Sequence, residues 1–210
     1  MRTIYNEELE EMRKSVIQMG ENCCDNVRRT FQLLSEPRKE ELEKICRNSV
    51  KISNMESMIE TLCNRLLLLQ QPVATDLRHV SASLKIAADL ERVGINAGDI
   101  AEILMTGEAA EPCRQLLDIS RSSIEMLERG LQALEQADTD LARKVIAMDD
   151  TVDEQFVAFR NQLTQGILKE GSLVDQLMIG KYYERIADHV VNVAGWVIYI
   201  VEGRQVLDKQ

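Results

Sequence analysis

The residues best suited to chemistry lie near the C-terminal end of the chain, where Glu184, Asp188 and Asn192 follow one another at four-residue spacing. On an α-helix, residues four positions apart share a face, so these side chains form one stripe of oxygen-bearing groups. The surrounding segment, residues 182–195, is mostly apolar. Because an unpaired charge is costly to bury, these carboxylates need a cationic or polar partner.

A second acidic pair offers such a partner. Asp149 and Asp153 lie one helical turn apart, as Glu184 and Asp188 do. On neighbouring antiparallel helices the two pairs could face each other. Four carboxylates would then repel one another unless a cation lay between them, and hard divalent or trivalent ions accept such oxygen ligands. The spacing therefore predicts a metal site between the two pairs.

Two interpretations without a metal stay open at this point. Asp149 and Asp153 could belong to a solvated face, with Lys181 or Arg185 neutralising Glu184 and Asp188. Alternatively, the acids could only form salt bridges with Arg92 and Arg185 in a metal-free scaffold. His189 adjoins Asp188 and points about 100° away from it on an ideal helix, so we expect it to flank the site.

The composition restricts the class of protein. The 210 residues are 45% hydrophobic and carry a formal net charge of −10, which argues against nucleic acid as a main partner. Five cysteines form no Cys-x-x-Cys pair, as expected for buried thiols in a reducing compartment. The N-terminus has no apolar signal core, and the most apolar run, 190–201, is too short to insert in a membrane. We therefore expect a cytoplasmic protein.

The apolar residues recur at threes and fours along almost the whole chain, which predicts helices and no strand. Proline and glycine divide this pattern at 35–37, 71–72, 106–107 and 171–172, while Asp138 and Thr139 provide cap chemistry. Six long helices are predicted, at about 7–34, 39–69, 73–105, 111–137, 141–169 and 173–201. Long helices with short connections favour antiparallel bundles.

The chain also repeats itself. The segment around Glu91 resembles the segment around Glu184 at an offset of 184 − 91 = 93 residues, which is the length of one three-helix unit. We therefore predict two tandem three-helix bundles, at residues 6–107 and 111–203. In the first repeat Ile95 stands where the second has Asp188, and two serines, Ser49 and Ser53, stand where the second has its aspartate pair. A first-half site should be weak or empty.

Several motifs resemble the PhoU family. They are Pro-Val-Ala-Thr-Asp-Leu-Arg at 72–78, Asp-Leu-Glu-Arg-Val-Gly at 89–94, and Tyr-Glu-Arg-Ile-Ala-Asp-His at 183–189 followed by Asn192. The resemblance covers nearly the whole chain and implies the family's fold, a tandem three-helix repeat with a Glu-x-x-x-Asp signature in each half.

The resemblance also implies a function. It indicates a non-enzymatic cytoplasmic regulator, expected to be a homodimer, that restrains the phosphate ABC transporter through its ATPase and acts with a phosphate-responsive sensor histidine kinase. Iron or zinc would bind on the acidic stripes. By position, the second-half ligands would be Asp149, Asp153, Glu184, Asp188 and Asn192. The weaker first-half ligands would be Asp76, Glu91 and Asp99.

One alternative comes from a different class, a metal-storing or metal-dependent helical carboxylate protein. Helical di-iron oxidases carry Glu-x-x-His on two helices, and this chain contains no such motif. It also lacks a glycine-rich phosphate loop and a Gly-x-Ser-x-Gly nucleophile motif.

Overall fold

The computed structural model describes residues 2–70, 74–107, 111–164 and 173–204, and its regular structure within these ranges is entirely α-helical. The helices in chain order are α1 (Arg2–Gln32), α2 (Lys39–Gln70), α3 (Ala74–Thr106), α4 (Arg114–Gln136), α5 (Thr139–Thr164) and α6 (Leu173–Glu202). Helices α1 to α3 pack together as one half, and α4 to α6 as the other. The predicted all-α fold of two tandem antiparallel three-helix bundles is confirmed.

The helix starts differ from the sequence expectation at three places, one of which is α5, which begins at Thr139 rather than Leu141. Helix α1 begins at Arg2 rather than Glu7, so the segment before the first periodic leucine is already helical. Helix α4 begins at Arg114, because Cys113 before it has an extended backbone. Helix α5 has its predicted cap, since the Asp138 carboxylate accepts a 2.9 Å hydrogen bond from the Leu141 amide. The predicted breaks at 71–72 and 171–172, and the predicted α3 start at Val73, lie outside the described residues.

Two helices are each followed by a residue with a left-handed backbone conformation. Gly203 follows α6 with a φ of 72°, a conformation that favours glycine. Ala137 follows α4 with a φ of 51°, where its amide donates to the carbonyl oxygens of Ala133 and Leu134. Alanine pays a steric cost in this conformation that glycine would not.

Helix α6 packs against α3 of the first half and against α4 and α5 of the second. The buried apolar side chains of all six helices contribute to one contiguous core, and a small second group joins α2, α3 and the turn after α1 around Leu42 and Ile45. Within the described ranges, no helix combines the length and apolar character needed to cross a bilayer.

Polar side chains of α6 also contact the first half. The hydroxyl groups of Thr30 on α1 and Tyr183 on α6 lie 2.9 Å apart, and both residues are fully buried. Asp89 on α3 lies 3.0 Å from Nδ1 of His189 and accepts a 3.1 Å hydrogen bond from the Asn192 amide. The second-half helix that carries the acidic stripe is therefore also tied to the first half.

Candidate metal centre

Three carboxylates from two helices converge in the second half. One oxygen each from Asp149, Asp153 and Asp188 lies within 4.8 Å of the other two, and we call this group the acidic triad. Asp149 is buried, whereas Asp153 and Asp188 are exposed. Oxygen ligands bind divalent ions at about 2.0 to 2.6 Å, so oxygens up to roughly twice that distance apart can share one ion. The donor chemistry and spacing of the triad therefore fit a hard cation.

Close packing of α5 against α6 brings the triad together. Asp149 and Asp153 lie one turn apart on α5, and Val152 and Phe159 on the same helix are fully buried. Gly180 on α6 permits the close approach, because a Cβ atom there would lie 2.8 Å from a ring carbon of Phe159. Gly180 therefore permits this helix spacing from a position eight residues before Asp188 on α6.

Glu184, the fourth acid of the predicted site, has an internal counter-ion. Lys181 lies three residues earlier on α6 and forms a short ion pair with it, and the Lys181 ammonium also lies 5.3 Å from the centre of the Phe156 ring. The Glu184 side chain is only 12% exposed, which strengthens this pair relative to one in open solvent. This ion pair occupies one oxygen of Glu184, so Lys181 competes with a metal ion for this carboxylate.

The electrostatic environment of Asp188 reflects crowding by like charges. Although Asp188 keeps much of its surface in solvent, partial burial of its carboxyl group raises its pKa to about 6, and the charges of Glu184 and Asp149 add to this effect. Lys181 acts in the opposite direction. A cation bound between the carboxylates would relieve the repulsion that raises this pKa.

Asn192 of the α6 stripe and the neighbouring His189 contact the first half. Asn192, a predicted ligand, donates its amide to Asp89, and His189 contacts the same carboxylate oxygen. This contact uses the nitrogen of the Asn192 amide, and a ligand role for its oxygen stays a prediction. Asp89 was not identified as a partner from sequence, because its position opposite α6 depends on how the two halves pack.

The three predicted first-half acids are not brought together. Asp76 lies near Tyr5, whose pKa is raised by burial and then by the Asp76 charge. The pKa of Asp99 is raised chiefly by burial, and a hydrogen bond from Tyr182 of α6 opposes the rise. In the described part of the chain, the second-half triad is the only group of three acidic, histidine or cysteine side chains close enough to share an ion.

Glu91 has an acidic neighbourhood that sequence reasoning missed. Burial, followed by the charges of Glu91 and Glu60, raises the pKa of Glu56 on α2. The prediction that Ser49 and Ser53 replace the aspartate pair is wrong at the repeat offset of 93 residues, which places Glu56 and Glu60 at these positions (149 − 93 = 56, 153 − 93 = 60). Ser49 instead packs against Gly98 and donates a 2.8 Å hydrogen bond to the Cys46 carbonyl. The repeat and the four-residue spacing of Glu56 and Glu60 therefore indicate this acidic region.

A comparison with models of known protein families identifies the family of this chain. The model of the PhoU domain matches residues 16–104 and, a second time, residues 116–197. The chain belongs to the PhoU family. The two PhoU matches fall one in each half of the helical architecture, and the predicted boundaries at 6–107 and 111–203 remain predictions.

Relatives in the PhoU family match over nearly their full length. A Synechocystis protein named phosphate-specific transport system accessory protein PhoU homolog is 34% identical, over 97% of this chain and 94% of the relative. An Aquifex aeolicus protein with the same name is 34% identical, over 93% and 92%.

Solved structures of PhoU proteins share the fold. The crystal structure of the phosphate transport system regulatory protein PhoU from Streptococcus pneumoniae superposes with a TM-score of 0.88 at 26% identity, over 96% of this chain and 99% of the other. PhoU from Pseudomonas aeruginosa gives 0.89 at 28% identity, over 95% and 100%.

Proposed function

We propose that this protein is an accessory regulator of phosphate transport that restrains high-affinity phosphate uptake and phosphate-responsive signalling. One observation carries the proposal: the PhoU matches span both halves, and relatives covered almost end to end are named as accessory proteins of the phosphate-specific transport system. The proposed role is regulation by protein binding rather than catalysis.

The proposed partners are the ATPase of the phosphate ABC transporter and a phosphate-responsive sensor histidine kinase, with the regulator acting in the cytoplasm as a homodimer. The net charge of −10 favours a basic partner surface. Exposed apolar side chains on α2, among them Val50 and Met58, could supply contact area alongside these charges.

We also propose that the acidic triad binds a metal ion, with iron or zinc as the expected identity. Asp149, Asp153 and Asp188 would hold the ion, and Glu184 would join through its second carboxylate oxygen or after releasing Lys181. The bound ion would supply positive charge that offsets repulsion among the carboxylates and links α5 to α6. The support is the fit of three carboxylate oxygens within 4.8 Å of one another.

A deletion strain tests the regulatory role. We expect deletion to raise phosphate uptake and phosphate-responsive transcription in phosphate-replete cells, and wild-type protein supplied in trans to restore both. Unchanged uptake and transcription in the deletion strain would refute the role. A protein that carries metal but whose deletion alters neither measurement would instead support the alternative, a metal-storing or metal-dependent helical carboxylate protein.

Elemental analysis tests the metal site separately. Protein purified without chelator and exposed to iron or zinc should retain metal in the wild type and in Asp76→Ala, and should lose most of it in Asp188→Ala. The Asp76 variant is a matched control, because it removes a predicted first-half acid that lies apart from the triad. Equal metal content in wild type and Asp188→Ala would refute the assignment.

A further inference from the structure

A half-enclosed pocket lies where the two halves meet. The described residues that line it do not include the acidic triad. Its volume is about 180 Å³, and helices α1 and α3 form one wall while α4, α6 and the residue that ends α4 form the other. Val16, Leu134, Val197 and Ile200 give the pocket a largely apolar lining. Pockets between packed units are common places for small ligands.

The α1 and α3 wall carries the donors of the pocket. Arg13 is exposed at the rim and forms no ion pair within the described part of the chain. His79 and Ser83, one turn apart on α3, line the same wall. Burial, then the charge of Arg13, lowers the pKa of His79, so at neutral pH its imidazole is uncharged and offers one N–H donor. The residues that line this wall thus include a guanidinium, an N–H donor and a hydroxyl.

The opposite wall carries Glu135, the one acid among the described residues that line the pocket. Glu135 lies near the C-terminal end of α4 and is exposed. Its charge disfavours an anion on the α4 side and favours a cation there, while Arg13 does the reverse on the α1 side. The pocket therefore has a charge direction across it, with an anion preferred next to α1 and α3.

We infer that this pocket binds a small carboxylate with an apolar body, its carboxylate next to Arg13, His79 and Ser83 and its body against Val197 and Ile200. The volume sets the size of the body, since an apolar cavity of about 150 Å³ in another protein holds one benzene molecule. A single aromatic ring or a chain of about six carbons fits this space. The site is additional to phosphate regulation and to the metal site.

Three probes with the same number of carbon atoms test the ligand class. Titration calorimetry of the full-length protein in chelator would compare hexanoate, hexan-1-ol and hexylamine, which each contain six carbon atoms and differ in charge. We expect hexanoate to bind about ten-fold more tightly than hexan-1-ol, because a hydrogen bond to a charged group adds to the shared apolar contact. Hexan-1-ol or hexylamine binding as tightly as hexanoate, or no hexanoate binding at millimolar concentration, would overturn the inference.

Two charge-removing variants place the carboxylate. Arg13→Gln should weaken hexanoate binding about ten-fold and leave hexan-1-ol binding unchanged. Glu135→Gln, the matched variant on the other wall, should strengthen hexanoate binding several-fold. Both side chains are exposed, so neither substitution should prevent folding. Hexanoate affinity that is the same in Arg13→Gln as in the wild type would show that the carboxylate does not lie at this wall.

Discussion

Replacing Gly180 by alanine tests whether helix spacing controls the metal site. The new Cβ atom would lie 2.8 Å from a ring carbon of Phe159, whereas carbon atoms pack best at about 3.5 to 4.0 Å. The ring must therefore retreat by about 0.7 Å or more. Phe159 is fully buried, so it cannot retreat without moving its neighbours or α5 itself.

The size of the effect follows from two opposing contributions. Inserting a methyl group into a packed core costs about 1 to 3 kcal/mol, and alanine is about 1 kcal/mol better than glycine within a helix. We therefore expect Gly180→Ala to lower the free energy of unfolding by about 0 to 2 kcal/mol. Because α5 carries Asp149 and Asp153, its displacement from α6 should also weaken metal binding about ten-fold, as loss of a supporting contact typically does.

Gly20→Ala is the matched control. Its Cβ atom would come even closer to a neighbour, but that neighbour is a terminal methyl of Leu131 on α4, and it can rotate away. We expect unchanged or slightly higher stability and unchanged metal affinity for this variant. Urea unfolding in chelator and metal titration of both variants give the answer. Wild-type metal affinity in a folded Gly180→Ala protein would refute the argument that helix spacing sets the site.

Three further substitutions test other contacts. In chelator, Asp188→Asn should raise the free energy of unfolding by about 1 kcal/mol at pH 7.5, since a carboxylate with a raised pKa destabilises the fold once ionised. This gain should vanish below about pH 4, and a pH-independent gain would contradict the assigned cause. Tyr183→Phe should cost about 1 to 2 kcal/mol in urea unfolding by removing the buried partner of Thr30, and a neutral result would contradict this. Ala137→Gly should stabilise by about 1 kcal/mol by relieving its left-handed backbone, whereas a loss in urea unfolding would argue against strain there.

The fold was predictable because its signals are local. Apolar periodicity identifies each helix. Asp138 lies in the break between α4 and α5 and caps α5, as expected. The helix starts were less predictable. An extended Cys113 delays α4 to Arg114, whereas α4 ends at Gln136, close to its predicted end at 137. The conformation of Cys113 depends on how the connecting segment packs.

The site was predictable only in part. Four-residue spacing places Asp149 and Asp153 on one face of α5 and Asp188 on one face of α6, and antiparallel packing brings them together. The orientation of α6 toward α3 decides what Asn192 and His189 contact, and spacing within one helix carries no information about that. Metal binding itself stays a prediction.

The shared core has a consequence for how the protein unfolds. Apolar side chains from both repeats pack into one contiguous group, with α6 in contact with helices of each half. A repeat cut from its neighbour would expose much of that surface to water, so neither repeat should be an autonomous folding domain. Although the sequence is duplicated, the two repeats should therefore unfold together. We expect the chain to melt in a single cooperative transition rather than in two.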